Sequence, residues 1–138
     1  MALSGFEAEL LLIGRFLFGG ILAFMGLNHF LSLDDMAGYA AHKGLPAPKL
    51  GVVVSGIVLI VGGIGIVFEL FPTIGALAIA GFLLLAAVIF HDFWIVPADQ
   101  QQSEMTDFLK NVALTGGALV IAVLGLSQWD YGLGIGLI

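Results

Sequence analysis

Four long apolar stretches dominate the chain, separated by shorter polar ones. They cover residues 10–31, 50–71, 73–90 and 108–126, each 18–22 residues long. At a rise of about 1.5 Å per residue, such runs reach about 27–33 Å, which matches a hydrocarbon core of about 30 Å. Lipid offers the backbone no hydrogen-bond partner, so each run must pair its own peptide groups as a helix. The alternating ten-residue strands of a membrane barrel are absent. The pattern predicts an all-α fold, a transmembrane four-helix bundle forming one integral membrane domain over residues 1–138. An even number of spans places both termini on one side and the first and third loops on the other.

The connections carry their own signals. In the first loop, Ser32 and Asp35 have the spacing of a capping box, and Gly44 suits the position after a helix end. Met36, Tyr39, Ala40 and Lys43 would share one face of this short surface helix. Pro46 and Pro48 end it and open the second span. Phe71-Pro72-Thr73 predicts a tight antiparallel hairpin. In the third loop, Pro97 precedes the polar residues 99–104, where Asp99 and Gln102 are spaced to cap an amphipathic lead into the fourth span. The glycine-rich residues 131–138 predict irregular structure.

Composition narrows the class further. Hydrophobic residues make up 60% of the chain, against about 45–50% in an average soluble domain. Only 10 acids and 4 bases are present, too few to cover a soluble globule. The net charge of −6 argues against a nucleic-acid partner. With no cysteine, disulfides and thiolate chemistry are excluded. The first apolar run lacks a basic lead and is too long for a signal peptide, so it is expected to be retained. Most of the 20 glycines lie in the apolar runs, where they let helix backbones approach closely.

The span arithmetic sorts the polar residues. Arg15 and Glu69 fall near the membrane surface on the side of the termini. A charge in the membrane is costly and usually finds a partner, so an intramembrane Arg15–Glu69 ion pair bracing the first two helices is the natural expectation. Asn28, His29, His42, Lys43, His91, Asp92 and Asn111 fall on the loop side. There His29 and His91 end two spans at one level, Asn28 and Asn111 lie nearby, and Asp92 follows His91. This polar mouth above an apolar bundle leaves three readings open. It could hydrogen-bond a quinone carbonyl, offer imidazoles to a metal or haem, or hold interfacial histidines bonded to loop backbone. No His-x-x-x-His or Glu-x-x-His spacing occurs, so no metal site is expected. Phe93 and Trp94 read as an interfacial aromatic belt. Lys43, Lys49 and Lys110 against Arg15 favour a cytoplasmic loop side.

Several segments resemble the DoxX family of small four-helix membrane proteins. They are Gly14-Arg15-Phe16-Leu17-Phe18-Gly19-Gly20 and Gly26-Leu27-Asn28-His29-Phe30 in the first span, Lys43-Gly44-Leu45-Pro46-Ala47-Pro48-Lys49 in the loop, and Gly62-Gly63 in the second span. Further on come His91-Asp92-Phe93-Trp94, Glu104-Met105 and the segment from Lys110 to Ala118. The resemblance implies a multi-pass subunit of the cytoplasmic membrane, without independent catalytic activity. It also implies a link to quinol oxidase or thiosulfate:quinone oxidoreductase complexes, with a quinone as the cofactor to consider. Many members carry an acid three positions before the glycine pair, and here that position is Leu59. A quinone-like or other lipophilic ligand would be bound by His29, His91, Asn28, Asn111 and Asp92. The alternative is a non-redox assembly subunit or homo-oligomeric scaffold whose small-residue faces pack on partner helices.

Overall fold

The structure, a computed structural model, describes residues 3–136. The first span runs from Phe6 to Leu31 and has three parts: α1 (Phe6–Arg15), a π-helical stretch (Phe16–Gly20) and α2 (Ile21–Leu31). Glu7 and Glu9 in its first turn suit the positive end of the helix dipole. A short helix α3 (Leu33–His42) follows. The remaining spans are α4 (Pro48–Phe68), α5 (Pro72–Phe90) and α6 (Ala98–Leu124). The fold is a transmembrane four-helix bundle, with successive spans packed on one another in chain order.

Pro48 and Pro72 open α4 and α5 at the first turn, where a missing N–H costs nothing. Gly44 takes a positive φ of 84° after α3. Its neighbour Leu45 donates back to Ala40 O at 3.0 Å, which satisfies a terminal carbonyl.

Several boundaries depart from the hydropathy pattern. The last span begins at Ala98, ten residues before the expected 108, because the residues after Pro97 contain no glycine or proline and include the helix formers Ala98, Gln100, Gln101, Gln102, Glu104 and Met105. At about 1.5 Å per residue its 27 residues outreach the hydrocarbon core, so its first turns stand in the headgroup region. Asp99 lies inside the first turn, Pro97 holds the cap position, and no side chain caps this helix. Ser32 likewise caps α3 only through its backbone, so the Ser32–Asp35 capping box does not form. The second span stops at Phe68. Glu69 and Phe71 both adopt left-handed backbone conformations in the hairpin, which is tighter than a run reaching residue 71 would allow.

Close backbone approach explains part of the glycine content. A Cβ on Gly26 would stand 2.7 Å from Gly56 O and 2.8 Å from both Leu59 Cβ and Ile60 Cγ1. One on Gly19 would stand 2.5 Å from Gly63 O. The first span therefore lies directly on α4, as small-residue interfaces in lipid require. Leu22, Leu59, Ile66, Ala76, Ile79, Leu83, Ala118 and Ala122 form the core. Leu59, the residue at the family's acidic position, is fully buried there. The outside is apolar too: Phe24 (65% exposed), Val61 (66%), Leu85 (63%) and Val123 (67%) point outward. Water would not tolerate that surface, but lipid does.

Residues 125–136 fold back as an irregular strap over the end of the bundle that carries the termini. Leu133 N–H donates to Phe68 O at 2.9 Å, Phe71 N–H to Ile135 O at 2.8 Å, and Ile135 N–H to Glu69 O at 3.0 Å. The strap thereby pairs backbone groups that the α4–α5 hairpin leaves open. Residues 137 and 138, at the end of the segment expected to be irregular, lie outside the described residues.

Candidate functional site

The two ends of the bundle handle their polar groups differently. At the terminal end, Arg15 is 1% exposed. Its Nε donates to Ile66 O at 3.2 Å and its Nη2 to Val67 O at 2.5 Å. Its Nη1 reaches Asp130 O at 3.1 Å, and Nη2 also reaches Tyr131 O at 3.4 Å. The guanidinium lies 5.1 Å from the centre of the Trp129 ring. Glu69, also 1% exposed, accepts the Trp129 backbone N–H at Oε1 over 2.7 Å.

Among the described residues, Arg15 and Glu69 make no ion pair with each other. The reason is geometric. Helix α4 ends one residue before Glu69, whose left-handed turn accompanies a carboxylate bonded to the strap. Arg15 instead takes carbonyls at the end of α4, which have no partner within the helix. The two charges hold one structure by separate contacts. Among the described residues, no buried side-chain nitrogen or oxygen is left without a hydrogen-bond partner.

At the loop end, an open cleft of about 530 Å³ lies between α3, the end of α5 and the start of α6. Tyr39, His42, Lys43, Asp92, Gln100 and Glu104 give it polar walls, and Ile95, Val96 and Pro97 an apolar one. Lys43 Nζ donates to Asp92 Oδ1 at 2.5 Å, with both side chains mostly covered. That hydrogen bond holds the Lys43 ammonium above the usual lysine range and the Asp92 carboxyl below the usual aspartate range. Tyr39 Oη donates to Phe90 O at 3.1 Å, and burial pushes its phenol up. Together these bonds dock α3 onto the end of α5.

His91, the residue just after α5, places Nδ1 3.0 Å from Glu104 Oε2 on α6. Phe93, Trp94 and Phe108 pack edge-on with ring centres 5.2–5.7 Å apart and fix the α5–α6 loop beside this contact. His91, Glu104 and Asp107 bring one donor atom each within 4.8 Å of one another. These three residues could hold a metal ion.

The expected site residues divide accordingly. His91 and Asp92 belong to the loop-end cluster. His29 does not line the cleft: its Nδ1 lies 2.8 Å from Met25 O, and its ring packs edge-on to Phe82 at 6.0 Å. Asn28 is exposed on the outer surface, and Asn111 is half-buried on α6 beyond the cleft lining. Tyr39 and Glu104, absent from the expected ligand set, are brought in by α3 docking and by the early start of α6. The signal for Glu104 was its spacing from Asp107, three residues apart on a stretch that is helical after all.

Comparison with known proteins agrees with this architecture. The DoxX family matches residues 10–92. The chain is also similar to the inner membrane protein YphA of Escherichia coli (strain K12), with 30% identity over 116 residues, 84% of this chain and 83% of that protein. No solved structure is significantly similar. With more than half the chain matched, four spans in place and the Arg15 and His91-Asp92 segments at the two polar ends, the protein belongs to the DoxX family.

Proposed function

We propose that this protein is a subunit of the cytoplasmic membrane that binds the polar headgroup of a quinone-like or other lipophilic molecule at its loop end, in support of a membrane oxidoreductase. The cleft between α3, α5 and α6 carries this reading. It joins hydrogen-bonding side chains to an apolar wall at the level where spans end, the combination that an amphipathic ligand needs. Lys43 uses one of its three donors on Asp92 and keeps two for a carbonyl. His42 and Gln100 add donors, and Glu104 adds an acceptor paired with His91. The tail would leave past Ile95 and Val96. The name of the Escherichia coli relative supports the choice of membrane.

The test is ligand identification. Protein purified in mild detergent is extracted with organic solvent, and the extract is compared by mass spectrometry with that of a Lys43→Met, His42→Ala double variant. Enrichment of one lipophile over bulk lipid, lost in the variant, is the expected result. Equal extracts would reject the ligand reading and favour an assembly role, in which the outward glycines Gly14, Gly20, Gly81 and Gly116, with open space before them, meet partner helices.

A further inference from the structure

We infer that His91, Glu104 and Asp107 form a binding site for a borderline divalent transition cation, with Zn²⁺ as the best match to the donor set. This site is independent of the lipophile reading. It lies at the α5–α6 junction, and only Glu104 is shared with the cleft.

Three observations meet here. First, the donors come from two elements that the loop holds in place: one imidazole from the end of α5 and two carboxylates from one face of α6. A mixed set of one nitrogen and two oxygens suits zinc, whereas magnesium and calcium prefer oxygen alone. Second, the distances are close to those required. Metal–ligand bonds of about 2.0–2.2 Å set tetrahedral ligand atoms about 3.4 Å apart. His91 Nδ1 and Glu104 Oε2 are already 3.0 Å apart, and all three donors fall within 4.8 Å. Asp107, whose side chain is 48% exposed, can close the remaining gap by rotating.

Third, the acids Asp92, Glu104 and Asp107 outnumber the lysines Lys43 and Lys110 that contact them. Glu104 and Asp107 are like charges three residues apart on a helix, an arrangement that destabilises the helix. The facing groups are His91, which contacts Glu104, Lys43, which is bonded to Asp92 beside it, and Lys110, which stands 4.0 Å from Asp107 in an exposed pair. A divalent cation would neutralise Glu104 and Asp107 and lock the end of α5 to α6. Three protein ligands leave a fourth position for water or for a ligand oxygen.

The experiment uses the full chain in detergent, purified through a handle without polyhistidine and stripped with a chelator. Co²⁺ is titrated as a spectroscopic probe, and Zn²⁺ is then added in competition. A saturable visible d–d band at one equivalent, displaced by Zn²⁺, is expected. His91→Ala should abolish the band. Asp107→Asn, at an exposed position that folding tolerates, should weaken binding measurably. Asp34→Asn, a change in an exposed carboxylate on α3, should leave it intact. A band that fails to saturate at one equivalent, survives His91→Ala, or falls equally in Asp34→Asn would overturn the assignment.

Discussion

Replacing Arg15 with methionine tests the terminal end most directly, because the volume is roughly kept while every donor is removed. In the native chain the guanidinium satisfies Ile66 O and Val67 O through buried contacts, and Asp130 O and Tyr131 O through part-buried ones. A buried acceptor left without a partner costs about 1–3 kcal/mol. The two buried carbonyls alone therefore set a loss of about 2–6 kcal/mol. The strap carbonyls add less, because they can turn toward water. Lysine should not rescue the loss, since a compact ammonium on a flexible stem cannot reproduce the planar fork. Adding Glu69→Gln should not rescue it either, because the stranded groups are carbonyls and not the carboxylate.

The assay is unfolding in detergent followed by Trp129 fluorescence, since that ring is buried against the guanidinium. Arg15→Met should lower stability by this amount and shift Trp129 emission to the red as the strap loosens. A cost below about 1 kcal/mol, or full rescue by Arg15→Lys, would refute the view that Arg15 acts through these carbonyls. Full rescue by Glu69→Gln would instead revive a direct charge pair.

Two further outcomes follow from the packing and from the α3 latch. Gly26→Ala should cost about 1–3 kcal/mol by overpacking, because its Cβ meets the Gly56 carbonyl and the neighbouring α4 side chains; Gly81→Ala, with nothing within 4 Å, should be neutral, and equal melting temperatures would disprove the contact. The Lys43–Asp92 bond joins a raised lysine to a lowered aspartate. Its stabilisation is whole between about pH 3.9 and pH 10.4, fades as pH falls through the lowered Asp92 value, and fades again as pH rises through the raised Lys43 value. Protection of the α3 amides, taken relative to the intrinsic exchange rate at each pH, should accordingly fall at pH 3 relative to pH 7; the same fall in Lys43→Met would show that the latch contributes nothing.

The spans were legible because each is an unbroken apolar run long enough to cross a bilayer, and lipid leaves such a run no choice but helix. Their ends were less so. Residues 98–107 are polar and helical, so hydropathy cannot see them as part of α6. The turn at Glu69 follows from the short hairpin before Pro72, where two left-handed residues compress the connection. Arg15 could be recognised as a buried charge needing partners, but a search for partners among side chains finds only Glu69. The partners it has are backbone carbonyls from residues 66–67 and 130–131, which carry no mark in the sequence.

The same blindness has opposite consequences at the two ends. At the terminal end, hidden backbone acceptors consume the charge, so the brace expected from an Arg15–Glu69 pair becomes a clamp of Arg15 on backbone carbonyls. At the loop end, α3 docking and the long α6 add Tyr39, His42, Lys43, Gln100 and Glu104 to the expected His91 and Asp92. His29 and Asn28 leave that group because the rotation of α2 turns them toward its own carbonyl and the outer surface. The proposed ligand site lies at the loop end for this reason. Its ionisable groups are paired with one another across an open cleft, where a ligand can exchange for a partner. The buried Arg15 is spent on the fold and has nothing to exchange.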